Sequence, residues 1–299
     1  MKFLSFLFVL IFVSTNLFSD SLNTNRIINK ADWYIHLDME TILKTNFGKK
    51  LIAKALEEPE FAKIKEVLLL AGIDPFKTAK SITVYGVDYS TDSWLLAYNG
   101  SYSIEKLVDL FKVLGKYELI DSNGLEVYYV NTDKDKFYVF AFDGILYLSK
   151  KVEMINDHIQ MMKGNDPSLK KDSKSSKISL NKLSFIGSAI NLPVDVNDRN
   201  LIEINKYATK VMGGITEEQN LVKMEIIMET ENADATEKLH SYLKTVLGVL
   251  KVSNDHNQHL STAINNVVIN KVGNKLIIKT NFPSNHINSL FEQKKDLNK

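Results

Sequence analysis

The chain contains no cysteine. That excludes disulfides, thiolate metal sites, thiol nucleophiles and a lipid-modified cysteine anchor. Neither sign of charge is in excess, with 37 Lys and Arg against 36 Asp and Glu. A dedicated nucleic-acid binder needs a basic surface to meet phosphates, so that class is disfavoured, as is a strongly acidic partner. Beyond the N-terminal run, no apolar stretch approaches the roughly 20 residues of a membrane-spanning helix, so no transmembrane span is expected in the mature chain. Common site signatures are missing as well. Gly213-Gly214 precedes no Lys-Ser pair, so it is no phosphate loop. Gly187-Ser188 sits in no Gly-x-Ser-x-Gly elbow. Asp133-Lys134-Asp135 lacks the glycine and distal glutamate of a calcium loop. No cofactor is expected.

What is present begins with Met1-Lys2, an apolar run from Phe3 to Val13, and then Ser14, Thr15, Asn16 and Ser19. A positive start, an apolar centre and a small residue at its end predict a secretory signal peptide over 1–19, cut after Ser19. The alternative is an uncleaved anchor. Export without cysteine fits a bacterial periplasm or envelope, where a chain of this length builds its core without staples. About 280 mature residues suggest two domains.

The first half, 20–163, opens with a polar arm expected to be loose. Alternation over Trp33–Asp38 predicts a strand. Asp38 is placed to cap the helix carrying Leu43, Phe47 and Leu51. Pro59 starts another helix, with Phe61, Ile64 and Leu68, which Gly72 stops. Two strands follow, Ser81–Val87 and Trp94–Tyr98. Ile104, Leu107, Val108, Phe111 and Leu114 then make a helical stripe. The strands Leu125–Val130, Phe137–Phe142 and Ile145–Leu148 form a meander, with Asp143-Gly144 suited to a type I′ turn. Val152–Met162 closes the half as a helix.

Residues 164–182, with serines and Lys170, Lys171, Lys174, Lys177 and Lys182, read as a polar linker. The second half, 183–299, begins with a strand from Leu183 to Asn191. Leu201, Ile204, Ala208 and Val211 predict a helix stopped by Gly213-Gly214. A strand from Leu221 to Thr230 comes next. Asp234 and Glu237 are spaced as a capping box for a helix to Lys251. Two strands follow, and a short helix carrying Ile287, Leu290 and Phe291 ends the chain. The helix Glu105–Gly115 resembles Glu237–Gly248, and the order of elements recurs between halves. The fold class expected is α+β, in two tandem related modules, each an antiparallel sheet with helices packed against it.

The stretch Gly72-Ile73-Asp74-Pro75-Phe76 leading to Ser81-Ile82-Thr83-Val84-Tyr85-Gly86, after Trp33-Tyr34-Ile35-His36-Leu37-Asp38, resembles a group of uncharacterised secreted bacterial proteins. The resemblance implies export and bacterial origin. It brings no activity and no site residue.

Two constellations could carry chemistry. His36 and Asp38 share a strand face, and a carboxylate beside an imidazole could orient a general base. The simpler reading makes Asp38 a helix cap and puts His36 on a polar sheet face. Asp255, His256 and His259 could contact a metal, but a closed zinc site needs four ligands held rigidly, and a solvated loop is the expectation. His158, His240 and His286 stand singly on helices and read as surface residues. Tyr128, Tyr129, Phe137, Tyr138, Phe140, Phe142 and Tyr147 make both faces of the meander apolar. Burial by helices on one side and by the second module on the other is expected; an apolar groove is the alternative.

The functional expectation is therefore an exported, non-catalytic binding or scaffolding protein, with another envelope protein or an apolar ligand as partner. The competing readings are a secreted hydrolase using His36 and Asp38, and a carrier holding an apolar ligand between the modules.

Overall fold

The computed structural model describes residues 22–57, 65–66, 68–90, 92–132, 135–169, 185–190, 199–253 and 258–286. Residues 1–19, expected to be a signal peptide, the expected Pro59–Ile64 helix start, Asp133-Lys134, most of the expected linker and the C-terminal Ile287, Leu290 and Phe291 lie outside them.

Among the described residues twelve strands form one continuous sheet. They are β1 (Trp33–Asp38), β2 (Ala79–Gly86), β3 (Trp94–Gly100), β4 (Lys116–Ser122), β5 (Leu125–Asn131), β6 (Lys136–Phe142), β7 (Ile145–Ser149), β8 (Phe185–Ile190), β9 (Ala208–Glu218), β10 (Leu221–Thr230), β11 (Val268–Val272) and β12 (Lys275–Pro283). Their spatial order is β11-β12-β10-β9-β8-β1-β2-β3-β7-β6-β5-β4, with neighbours antiparallel. The first half reads outward as β1-β2-β3-β7-β6-β5-β4 and the second as β8-β9-β10-β12-β11. Each is a three-stranded meander, a helical crossover to the far edge, and a return. The helices are α1 (Met39–Ile42), α2 (Asn46–Leu56), α3 (Ile104–Leu114), α4 (Val152–Met162), α5 (Arg199–Asn205), α6 (Ala233–Ser253) and α7 (Gln258–Asn265). The two helices whose sequences resemble each other, α3 and α6, make the equivalent crossovers. The halves do not own separate sheets: they join edge to edge where β1 pairs with β8, Trp33 opposite Ala189 and Ile35 opposite Gly187.

Side chains alternate between the two faces of a strand. On the Tyr34 face, Tyr85, Leu95, Tyr147 and Phe140 pack against Met154, Ile155 and Ile159 of α4 and against Ile27 and Ile28. On the Trp33 face, Tyr98, Val130, Val139 and Leu146 receive Leu107, Leu110 and Phe111 of α3. Farther along that face, Leu239 of α6 covers Met228 and Leu276. Both faces of the aromatic meander are thus covered by helices of its own half; the second half does not lie over either, because it continues the sheet sideways.

Four other expectations change. The arm is not loose, since Ile27 and Ile28 are buried and Arg26 pairs with Asp143 at 2.8 Å. The start of the linker holds it, through the Ile28–Ser168 bridge and the Leu169 amide on Ile27 oxygen at 2.6 Å. Gly213-Gly214 stops no helix. It lies mid-strand in β9, with Gly213 between Gly187 and Ile226, because ladders on both sides outweigh a local helical spacing. β4 is an additional edge strand, exposed on both sides from Lys116 to Leu119, with Tyr117 and Leu119 among its exposed residues. Finally, the cap of α6 is Asn232, whose Oδ1 accepts from the Ala235 amide at 2.9 Å, while Glu237 pairs with Lys271.

Candidate functional site

His36 and Asp38 lie on β1, a central strand of the sheet, and are buried rather than solvated. Asp38 does cap a helix. Its Oδ1 accepts from the Thr41 amide at 3.2 Å and its Oδ2 from the Thr41 hydroxyl at 2.8 Å. His36 Nδ1 lies 2.8 Å from Thr83 Oγ1, its cross-strand neighbour on β2. The two residues share a face and a strand, but their polar atoms are directed to different neighbours. Beside them, burial pushes the Tyr34 phenol up to about 12, against the effect of its hydrogen bond with Ser188. This central row holds buried polar pairs inside a sheet.

Of the metal candidates, Asp255 and His256 lie outside the described residues, and His259 is described only as backbone in α7. Among the described residues no group of three or more metal-ligating side chains occurs.

A second polar cluster ties the β2–β3 hairpin to the start of α4. Ser90 donates to Ser93 Oγ at 2.7 Å, and the Lys151 ammonium donates to the same oxygen. Burial opposes ionisation of Asp88, yet hydrogen bonds from Ser90 and Ser93 and the charge of Lys151 outweigh it and lower its pKa. A serine beside a lysine invites a nucleophilic reading. Ser93 is 1% exposed, so an incoming carbonyl has no approach to it, and the cluster acts as a clamp.

His158 is another histidine found inside the fold where a surface position is expected. It is fully buried in α4, not on the surface, with its ring 4.4 Å from Tyr147 and Nδ1 2.6 Å from the Tyr85 hydroxyl. Burial, and then the positive Arg26, push its pKa down to about 3, so the ring is neutral. Burial also raises the Tyr85 phenol well above its ordinary value, helped by Tyr147 and Asp157. Donation from Tyr85 to Nδ1 satisfies the phenol proton. It leaves the imidazole proton on Nε2, which is buried and has no hydrogen-bond partner among the described residues. A signal was available: His158 falls on the Ile155, Ile159 and Met162 stripe. His240 follows the same pattern beside Leu239 and is also buried.

These features describe a class: an α+β protein in which helices pack on a large antiparallel sheet. Solved structures of TP0453 share the architecture. Crystal form III superposes with a TM-score of 0.53 at 13% identity, covering 91% of this chain and 99% of that one. Form I gives 0.51 at 13% identity over 92% and 98%, and form IV gives 0.50 at 13% over 91% and 97%. The likeness is one of fold. No family model and no curated protein matches the chain.

Proposed function

We propose that the chain is an exported, non-catalytic binding or scaffolding protein of the bacterial periplasm or envelope. The observation that carries the non-catalytic part is the use of Asp38: both of its oxygens are engaged by Thr41 at the start of α1. His36, the other residue a hydrolase would need, is buried against Thr83. Export rests on the charged start, short apolar run and small-residue end of residues 1–19, and on the absence of cysteine. No helix among the described residues is long and apolar enough to cross a membrane.

The test is expression of the full chain with its own N-terminus in a Gram-negative host, followed by fractionation and N-terminal sequencing. The reading expects a periplasmic product beginning at Asp20. A cytoplasmic product that keeps residues 1–19 overturns it.

A further inference from the structure

Among the described residues the sheet ends in two open edges, β4 and β11. An open edge presents unpaired backbone donors and acceptors, which proteins commonly blunt with charged side chains. β4 carries Lys116, Glu118 and Asp121. β11 has a single charge, Lys271, whose ammonium is paired with Glu237 of α6. Its outer positions are apolar: Val268 and Val272, on the same face with Asn270 between them, are 52% and 59% exposed.

We propose that β11 is an interaction surface and that its partner is β11 of a second copy, added antiparallel about a two-fold axis at Asn270. Each Val268 then faces the other copy's Val272, Ile269 faces Lys271, and the two Asn270 amides meet. No like charges stand directly opposite, and cross-strand apolar pairs stabilise such a ladder. The nearest lysines on β12 are already occupied, Lys275 by Glu229 at 2.7 Å and Lys279 by Glu225 at 3.1 Å. A self-complementary strand without an unpaired charge suits an isologous contact. An extended segment of another protein would find backbone pairing but little side-chain selectivity here. Five residues make a contact well below the roughly 800 Å² per partner of a stable interface, so the dimer is weak and depends on concentration. It gives the scaffolding reading a first partner, the chain itself, while export and the lack of catalysis stand or fall separately.

Sedimentation velocity of the purified chain across roughly two decades of concentration tests it. A monomer–dimer equilibrium is expected. Val268→Lys with Val272→Lys sets lysine against lysine at both positions and weakens association by about tenfold. Val268→Lys with Val272→Glu sets lysine against glutamate at both and restores it. Circular dichroism melts check that both variants fold. A monomer throughout, or equal association of the two variants, overturns the proposal.

Discussion

The carboxylate of Glu217, on β9, accepts a hydrogen bond from the backbone amide of Phe47 at 3.0 Å, although the two residues are 170 positions apart. It caps the first turn of α2, a helix that belongs to the first half by sequence but seats Phe47 and Leu51 on Ile215, Val222 and Phe282 of the second. Asn46 reinforces the seat by donating to Asn220 Oδ1 at 2.9 Å. The halves are therefore joined by the β1–β8 ladder and by a helix lent across it. Replacing Glu217 with Ala strands a buried amide and is expected to cost about 1–2 kcal/mol in urea denaturation. Glu217→Gln keeps an acceptor and should cost less. Unchanged stability in Glu217→Ala would show that the cap contributes nothing to joining the halves.

Asp38→Ala removes the cap of α1 and is expected to lower stability by about 0.5–2 kcal/mol. Asp38→Asn retains one acceptor and should lose less. Chromogenic ester and glycoside substrates should show no turnover by the parent protein or by either variant. Turnover that disappears in both variants while their folds persist would revive the hydrolase.

The His158 ring titrates near 3 in the fold and near 6.5 when unfolded. The folded state thus disfavours the charged ring, and the unfolded chain binds the extra proton. The stability contributed by burying the neutral ring is complete above about pH 6.5 and is lost progressively as pH falls toward 3. Between pH 6.5 and 5 this amounts to about 2 kcal/mol, at 1.4 kcal/mol per unit. His158→Phe should flatten that part of the curve relative to the parent. Parallel curves would mean that the ring does not titrate as its surroundings require.

Two glycines should respond in opposite directions to alanine. Gly144 sits at φ +72 in the Asp143-Gly144 turn, a conformation that costs an L residue about 1 kcal/mol, so Gly144→Ala lowers the melting temperature. Gly248 is inside α6 with nothing within 4 Å of an added methyl, so Gly248→Ala raises stability by up to about 1 kcal/mol. Thermal melts of both variants provide the check.

What the sequence disclosed was local. Asp143-Gly144 announces its turn, and the observed φ values of +50 and +72 are those of type I′. The stripe of α3 and the cap at Asp38 were also readable, because a single turn or helix fixes them. β9 was not, since the spacing of Leu201, Ile204, Ala208 and Val211 is broken only by ladder partners on β8 and β10. Nor was the arm, whose Ile27 and Ile28 stand among polar residues and are buried by α4. The site was misjudged for a related reason. His36 looks polar-facing on a one-sided sheet, whereas in the fold it is buried against Thr83 of β2, a contact that no local pattern announces.

The pairing of β1 with β8 has a consequence for synthesis. β1 is made early, yet one of its edges is completed only by Phe185–Ile190, after the whole first half has emerged. Until then the nascent chain carries a bare central strand, and closing so long a loop adds a slow, entropically costly step. A chain truncated before Phe185 would keep that strand exposed as a template for misassembly, so the later half acts toward the earlier one as a built-in chaperone.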